Sequence, residues 1–479
     1  MKNKFLAVSL GCMVLASCVT QPQSNDDEFI PANPVGSDET LYQTGFNPIL
    51  PPWEHIPDGE PRVFGNRVYL YGSHDNPGST VFCDTKYRIW SASLDSLNYW
   101  YFHGDSFHTV ADDEGIDDVP WSDNYLYAPD VVEKDGKYYL YAYVVGAPGC
   151  VAVSDNPGGP FKTISKYKAP EGAPADFGGW GQYIDPGVLV DDDGRVYIYW
   201  GYKGSHMAEI NPENMYEILP NTYIKDIIPT TEPFNFFEAA SMRKINGKYY
   251  FIYADGGILV YATSDKPTGP FEYGGPIIRN GIDYPGGNNH GSLCQINGQW
   301  YIFYHRMTNN TIFSRKACVE RVNIEPDGSI KEVEMTSLGF NESLDPYKET
   351  PAYAACVLKG GNYITQVDTL THPVINNKDN CVIGFKYYDF GKDTNVKQIV
   401  KAKVMPKDIT GQIEVWIDGT TFETGKKVAI MNVPVGKDWS EITAPMENVV
   451  GRHAVYFKLK AEQNDKYICD FLSFIIDKK

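Results

Sequence analysis

Apolar and polar residues alternate in short runs along most of the chain, and these runs come in pairs joined by a turn. A turn containing glycine followed by a tyrosine-rich, strand-like run occurs five times, at 65–75, 135–143, 192–200, 246–256 and 297–306. Asp-Gly and Asn-Gly pairs between apolar runs are strong signals for a β-hairpin. The pattern therefore predicts five β-hairpins.

The spacing of these hairpins suggests how they are arranged. Successive turns lie about 50 to 70 residues apart, which suits one four-stranded propeller blade per repeat. The segments SDNPGGPF (154–161) and SDKPTGPF (264–271) repeat each other after the second and fourth hairpins. We predict an all-β fold in which 41–340 form a five-bladed β-propeller. A β-sandwich with repeated hairpins is the alternative that the repeats alone leave open.

The period is lost after Pro351. Strand-like runs at 381–391, 411–419, 453–460 and 467–476 are separated by polar turns. This texture is typical of a β-sandwich, so we predict a second, jelly-roll domain at 352–479.

The N-terminus reads as a targeting segment. A basic start and a short apolar run end in Leu15-Ala16-Ser17-Cys18, which resembles the lipobox of bacterial lipoproteins. We predict a signal peptide at 1–17, acylation of Cys18 and a flexible polar tether at 18–40. The protein would then be anchored by lipid in the bacterial cell envelope, at the outer membrane, on its periplasmic or surface face. A plain secretory signal is the alternative.

Composition narrows the classes of partner. The chain carries 61 acidic against 42 basic residues, for a net charge of −19, and 14% of its residues are aromatic. A negative field repels phosphate, so we expect no nucleic-acid partner and favour a neutral carbohydrate. The cysteines are scattered without CxxC spacing, which favours small buried residues over a zinc site or a disulfide framework. A monomer is expected.

Polar residues recur just ahead of the first strand of each hairpin. They are Asp58, Asp130, Asp185, Glu238 and His290, one in each repeat. The innermost strands of a propeller line its axis, so residues at equivalent strand starts should form one ring around a channel mouth. The repeated register predicts that four acids and one histidine share this ring.

Such a ring suggests acid–base chemistry. Crowded carboxylates repel one another, so at least one should have a raised pKa, and a proton donor beside a proton acceptor is what glycoside hydrolysis requires. Glu238 lies in an apolar stretch, which suits a proton donor. Asp58 and Asp185 also suit turns, because glycine or proline follows them.

These residues resemble the motifs of glycoside hydrolase family 43 across about 45–340. The matching motifs are Asp58 near the first strand, Ala128-Pro129-Asp130, Ile184-Asp185-Pro186, Glu238 ahead of Gly247-Lys248-Tyr249-Tyr250, and His290 with Tyr304-His305. The resemblance implies a five-bladed propeller with an axial site and inverting hydrolysis. The C-terminal region resembles, more loosely, carbohydrate-binding module family 6.

The resemblance also implies a role for each residue. Asp58 would be the general base, Glu238 the general acid, and Asp185 would tune and orient Glu238. Asp130 would support the sugar pocket. His290 would lie near the axis, where many family members hold Ca²⁺, often through water. No cofactor would be required for the chemistry.

Two positions depart from the family pattern. Tyr127 replaces the tryptophan that usually precedes Ala-Pro-Asp, and Asp58 is followed by glycine rather than proline. Neighbouring acids are therefore further candidates for the base: Glu54, Glu60 and Asp75.

Several residues could contact sugar from the rim of the site. Trp121, Tyr127 and Phe236 could contribute to the sugar pocket and Arg315 could reach it from the last blade, with packing or an inter-blade salt bridge as the alternatives.

The function that these features favour is an inverting glycoside hydrolase acting on plant-type polysaccharide or oligosaccharide, releasing α-L-arabinofuranose. A β-xylosidase or a galactan-directed galactosidase of the same family is the first alternative. A catalytically inactive, surface glycan-binding lipoprotein is the second, and a structural or protein-binding propeller is the third.

Overall fold

The computed structural model describes residues 31–32, 40–173 and 182–478. Within these residues, five antiparallel sheets follow one another up to Val322, and two further sheets begin at Thr350. The predicted all-β fold, a five-bladed β-propeller followed by a β-sandwich, is confirmed.

The strands are numbered in chain order, and each blade is built from consecutive strands. Blade one contains β1 (Pro31–Ala32), β2 (Leu41–Gln43), β3 (Glu60–Phe64), β4 (Arg67–Tyr71), β5 (Lys86–Ser93) and β6 (Tyr99–His108) in the order β1-β2-β6-β5-β4-β3. Blade two contains β7 (Leu126–Lys134), β8 (Lys137–Val144), β9 (Cys150–Ser154) and β10 (Lys162–Lys166). Blade three contains β11 (Gly187–Val190), β12 (Val196–Gly201), β13 (Ser205–Ile210) and β14 (Ile224–Lys225).

The last two blades follow the same plan. Blade four contains β15 (Glu238–Ile245), β16 (Lys248–Asp255), β17 (Ile258–Ser264) and β18 (Glu272–Arg279), and blade five contains β19 (Leu293–Ile296), β20 (Gln299–Thr308) and β21 (Thr311–Val322). All five predicted hairpins are present. In the Asn246-Gly247 turn both residues have positive φ, 51° and 81°, which is the conformation that favours Asn-Gly in two-residue turns.

The propeller is closed by its N-terminal segment. Ile49 N–H donates to Ala317 O (3.0 Å) and the Asn47 side chain donates to Val319 O (2.8 Å), so this segment runs beside β21 of the last blade. The chain then continues into β3 of the first blade. β1 and β2 pair with each other, and β1 lies inside the segment that the sequence analysis assigns to a tether. Cys18 and the signal segment lie outside the described residues.

The C-terminal domain consists of two packed sheets. Its elements are β22 (Thr350–Pro351), a 3-10 turn (Ala352–Ala354), β23 (Val357–Lys359), β24 (Tyr363–Ile364), β25 (Val374–Asn377), β26 (Val382–Asp389), β27 (Gln398–Pro406), β28 (Gly411–Ile417), β29 (Lys426–Val433), β30 (Ser440–Met446), β31 (Arg452–Lys460) and β32 (Cys469–Lys478). One sheet has the order β24-β25-β32-β27-β30, with β22 also paired to β32, and the other has the order β23-β26-β31-β28-β29. The Phe457 ring packs 4.7 Å from Phe474 and 4.9 Å from Phe471 between them.

Propeller and sandwich share one continuous hydrophobic core. Buried residues of blades four and five, such as Ile302, pack in the same cluster as Phe385 of the sandwich. Polar contacts cross the boundary as well. Leu358 N–H donates to Asp283 O (2.7 Å), and Lys386 forms a 2.8 Å ion pair with Glu334.

Two further features concern the cysteines and the absence of membrane-spanning helices in the described residues. Seven cysteines of the described chain are buried and free, as expected for small apolar residues. Across 31–32, 40–173 and 182–478, no helix has the length and apolar character to cross a membrane.

Candidate active site

Four of the five predicted ring residues meet at the propeller axis. Asp58, Asp185 and His290 lie just ahead of β3, β11 and β19, and Glu238 is the first residue of β15. His290 Nδ1 lies 3.9 Å from Asp58 Oδ1 and 3.7 Å from Asp185 Oδ2, and the charges of Glu238 and Asp185 act on each other. We refer to these four residues as the carboxyl ring.

Asp58 is buried and held in its ionised form. Ser73 Oγ donates to Asp58 Oδ2 (2.7 Å) and Arg315 Nη1 donates to Oδ1 (2.8 Å). Burial by itself raises the pKa of Asp58, but the positive charge of Arg315 and the nearby His290 and His305 outweigh it, so that the pKa falls below its usual value. A carboxylate that stays ionised can accept a proton from water.

Glu238 is placed in the opposite electrostatic state. Burial and the negative charge of Asp58 raise the pKa of Glu238 to about 7, although Arg315 and Lys203 act in the other direction. A carboxyl group with this pKa retains its proton close to neutral pH and can donate it. The apolar neighbourhood read from the sequence thus has the predicted effect.

Asp185 is tied to Glu238 through the backbone. Ala239 has a φ of +69°, within a β-bulge of β15, and its N–H donates to Asp185 Oδ2 (3.1 Å). Positive φ is unfavourable for alanine and marks a constraint often found at functional sites. Burial and the charges of Glu238 and Asp58 raise the pKa of Asp185 well above its usual value. Proton occupancy on Asp185 and Glu238 is therefore linked.

The structure corrects the predicted position of Asp130. Three strand pairs occupy the same position relative to the turn in their blades: Glu60 with Tyr71, Asp130 with Tyr141, and Ser241 with Ile252. Asp130 is thus one layer deeper than the carboxyl ring, at the level of Glu60.

This deeper layer is neutralised by two arginines. Arg62 donates to both oxygens of Asp130, at 3.0 and 2.5 Å, and to Val188 O, while Arg243 forms a short contact with Glu60. Asp130 is fully buried. We refer to Glu60, Arg62, Asp130 and Arg243 as the arginine layer, which lies beneath the ring.

Arg315 is a structural partner of Asp58. Its Nε and Nη2 donate to the two oxygens of Asp75 at 2.8 and 2.9 Å, while Nη1 donates to Asp58. The residue is 2% exposed. The inter-blade salt bridge, which the sequence left open as the alternative role for Arg315, is therefore present and links β21 to blade one.

The other candidate bases are held by cations or by structural hydrogen bonds. Glu54 is buried and accepts from Trp90 Nε1 (2.8 Å) and Arg88 (3.2 Å). Glu60 belongs to the arginine layer, and Asp75 pairs with Arg315. Asp58 is the one among these four acids that lies beside His290 in the carboxyl ring.

Two predicted sugar contacts lie elsewhere. The Trp121 ring packs under the Lys166 ammonium (4.1 Å) of β10, the outermost strand of blade two. Phe236 is 3% exposed and packs against Tyr253 in the core of blades three and four. Both residues take the packing role that the sequence left open, because their rings are covered by strands of their own or the next blade.

The predicted Tyr127 and four aromatic residues that the sequence did not single out lie near the carboxyl ring. Tyr127 is half-buried and lies 6.3 Å from Phe82, whose ring lies 4.7 Å from Phe313. On the side of the acid, Phe237 packs 5.2 Å from Tyr202. The sequence analysis does not propose Phe82, Phe313, Phe237 or Tyr202 as site residues. Phe237 could have been found, because it directly precedes Glu238.

The surroundings of His290 bear on the predicted Ca²⁺. Burial lowers the pKa of His290. Ca²⁺ takes six to eight oxygen ligands, and no group of three or more histidine, cysteine or acidic side chains in the described chain is arranged to hold a metal ion. The residues present do not form a protein cage for Ca²⁺, so water would have to supply most ligands.

Two carboxyl groups with oppositely shifted pKa values at one site are what glycoside hydrolysis requires. Residues 47–330, more than half of the chain, match the family described as glycosyl hydrolases family 43. The chain belongs to glycosyl hydrolase family 43.

Similarity to known proteins extends beyond residues 47–330. The chain is 37% identical over 472 residues to a xylosidase/arabinosidase of Thermoclostridium stercorarium, covering 86% of this chain and 95% of that protein. A family 43 β-xylosidase/α-arabinofuranosidase from a compost metagenome, solved with xylotriose, is 29% identical with a TM-score of 0.50, covering 61% of this chain and 98% of that one. A Bacillus subtilis arabinoxylan arabinofuranohydrolase has the same fold, with a TM-score of 0.52 and 22% identity over 90% of this chain and 97% of that one.

Proposed function

We propose that this protein hydrolyses plant-type polysaccharide or oligosaccharide with inversion and releases α-L-arabinofuranose. The observation that carries the proposal is the opposite pKa shift of two carboxyl groups at the propeller axis: the pKa of the buried Asp58 is lowered, and that of the half-buried Glu238 is raised to about 7. The similarity to a protein named xylosidase/arabinosidase supports the choice of sugar.

The proposed chemistry follows from these two states. Asp58 accepts a proton from a water molecule as the water oxygen attacks the anomeric carbon. Glu238 donates its proton to the glycosidic oxygen as the carbon–oxygen bond to the leaving group breaks. Inverting hydrolysis of this kind keeps the two carboxyl groups about 6.5–9.5 Å apart with the water between them. Asp185, bonded to Ala239 N–H, holds the acid in place.

Release of β-D-xylose is the second candidate. The same relative carries both activities in its name, and the compost enzyme is named for both as well. A galactan-directed galactosidase stays a further alternative. A catalytically inactive glycan-binding lipoprotein is disfavoured, since binding alone gives no reason for a half-buried Glu238 with a raised pKa beside an Asp58 with a lowered one.

Product analysis tests the proposal. Wild type and Glu238→Gln should be incubated with arabinan, arabinoxylan, arabinogalactan, xylo-oligosaccharides and galactan, and the released sugars identified. Arabinose release by wild type alone is the expected result, and NMR of the first product formed should show the inverted anomer. Xylose or galactose as the main product would reassign the substrate, and glycan binding without release would support the inactive lipoprotein.

We also propose a place and a surface for this activity. Acylation of Cys18 would anchor the protein in the cell envelope through its lipid alone, and Cys18→Ser should then move it from the membrane to the soluble fraction.

The C-terminal sandwich, which resembles family 6 binding modules, would hold glycan. Binding of arabinoxylan by Glu238→Gln should weaken if its exposed Phe422 is replaced by alanine. Light scattering should report a monomer.

A structural Ca²⁺ near His290 is a further proposal. It would rest on water ligands and contribute rigidity around the axis, while Asp58 and Glu238 carry out the proton transfers. Dialysis against EDTA should therefore leave kcat within about twofold and lower the midpoint of thermal unfolding by a few degrees at most. Loss of turnover that Ca²⁺ restores would contradict this.

A further inference from the structure

One hairpin of the propeller contacts both the C-terminal sandwich and the catalytic base. It is the β20–β21 hairpin of blade five, whose turn residues Asn309 and Asn310 both have positive φ, 54° and 51°. Thr308 pairs with Thr311 across this turn. Asparagine tolerates the left-handed conformation better than most residues, so the backbone of the turn explains both asparagines but not their side-chain contacts.

The Asn309 side chain reaches the sandwich with its oxygen. Its Oδ1 accepts from Gln366 N–H (2.8 Å) and from Thr365 Oγ1 (3.1 Å), and its backbone N–H donates to Ile364 O (2.7 Å). These three residues lie at the end of β24 and the start of the loop to β25. One side chain thereby anchors the propeller hairpin to the second domain.

The nitrogen of the same side chain points the other way, toward the site. Asn309 Nδ2 donates to Ser314 Oγ (2.7 Å), and Thr308 Oγ1 donates to Ser314 O (3.1 Å). Ser314 is fully buried, so its hydroxyl depends on protein partners. The next residue is Arg315, which bonds to Asp58 and Asp75.

We propose that Asn309 is a positioning residue through which the C-terminal sandwich holds Arg315 against the catalytic base. The link runs from Thr365 and Gln366 through Asn309 and Ser314 to Arg315, and every step is a hydrogen bond or a peptide bond. The proposal rests on the proposed function, because it takes Asp58 as the base. It makes the sandwich part of the catalytic machinery, whether or not the domain also binds glycan.

The sign of the expected effect follows from electrostatics. Arg315 favours the ionised form of Asp58, so a less tightly held Arg315 raises the pKa of Asp58. The acidic limb of the kcat/KM profile reports ionisation of the base in the free enzyme. Loosening the link should move that limb to higher pH, which a general loss of folded protein would not do.

Four single variants of the full chain separate the steps. Asn309→Gly removes the side chain without straining the turn, and Thr365→Val removes only the hydroxyl on the sandwich side. Asn309→Asp keeps an oxygen for Gln366 N–H and can accept from Ser314, so it should retain most of the wild-type behaviour. Asn310→Gly is the matched control, because Asn310 is exposed and carries no side-chain hydrogen bond within the described residues.

Two measurements are made on each variant. We expect Asn309→Gly to lower kcat roughly tenfold with little change in KM, since small displacements of catalytic groups are costly, and to move the acidic limb upward. Thr365→Val should do the same to a smaller extent. Hydrogen–deuterium exchange should be faster in the peptide containing Arg315, whose N–H donates to Asp75 (2.9 Å), and should be unchanged in Asn310→Gly.

The outcomes can be told apart. Unchanged exchange at Arg315 in both Asn309→Gly and Thr365→Val would overturn the link itself. Faster exchange with an unmoved acidic limb would overturn the positioning role. If Asn309→Gly does not fold, Thr365→Val decides both points. Normal turnover by Asp58→Asn would instead refute the proposed function, and the exchange data would still test the link.

Discussion

Two layers of charged residues lie one above the other on the propeller axis, and they are treated in opposite ways. The arginine layer contains two carboxylates and two arginines, so its charges cancel in direct contacts. The carboxyl ring contains three carboxyl groups, and only Asp58 bonds to a guanidinium. Uncompensated carboxyl groups keep protons in a buried site. The charges of the lower layer are thus compensated within the fold, whereas the upper layer keeps carboxyl groups that can exchange protons.

The largest effect should come from neutralising the acid of the upper layer. Glu238→Gln removes the transferable proton, so we expect kcat to fall by about 10²–10⁴-fold, the usual contribution of general acid catalysis. Glu60→Gln, two residues away from Asp58 but in the arginine layer, should retain turnover per folded molecule. Comparable losses in the two variants would mean that the layers do not differ in function.

The next effect concerns the stability of the lower layer. Asp130→Asn removes the two-oxygen partner of Arg62 and leaves it only Glu60 (3.3 Å), which Arg243 shares, and breaking a buried ion pair commonly costs about 3–5 kcal/mol. Denaturant titration of wild type and variant at neutral pH measures this loss. An unchanged free energy of unfolding would show that Arg62 finds compensation in Glu60 or in water.

In the upper layer, replacing a carboxyl group should increase the free energy of unfolding rather than decrease it. The pKa of Glu238 in the folded protein is raised from 4.5 to about 7, so stability falls as pH rises between these values and the full cost of ionisation is present above pH 7. Glu238→Gln should therefore be more stable than wild type at pH 8, by about 1 kcal/mol or more. At pH 4 the two proteins should unfold alike, and a difference that does not depend on pH would contradict this account.

The smallest effect is a shift in a pH profile. The alkaline limb of kcat/KM should fall near pH 7 as Glu238 loses its proton, and Lys203 lowers the pKa of Glu238. Lys203→Met should move this limb to higher pH by a few tenths of a unit, a modest change because surface charges are screened. Lys162→Met, on the outer strand β10 of blade two, should leave the limb in place. A downward shift in Lys203→Met would refute the assignment of this limb to Glu238.

Sequence patterns predicted the hairpins well because each depends on neighbouring residues. Asn246-Gly247 and the turns like it require positive φ, and alternating apolar runs beside them pair locally. The prediction that Glu238 is the acid rests on a similar reason, since its apolar neighbours in sequence are also neighbours in space. The same reasoning failed for Trp121 and Phe236, because an aromatic residue near a strand start reads alike whether it faces the axis or the core.

Asp130 shows where counting along the chain reaches its limit. Counting residues ahead of the turn glycine groups Asp130 with Asp58. In the structure Asp130 instead shares its register with Glu60, because each lies four residues before the strand residue that closes its turn. The count misleads because the glycine is the first turn residue in blade one (Gly65) and the second in blade two (Gly136), and a difference of two residues separates the carboxyl ring from the charge-paired layer.

By itself, the sequence determined the class of fold and the family and singled out Glu238 as the candidate acid, because hairpin turns, strand alternation and a carboxyl group in an apolar stretch are local properties. Only the tertiary structure decided the electrostatic state of each carboxyl group and the residues that control it. Asp58 and Arg315 are separated by most of the propeller in sequence, yet they form a 2.8 Å ion pair. A pKa depends on burial and on charges within a few ångströms, and closing the ring of blades is what brings those charges together.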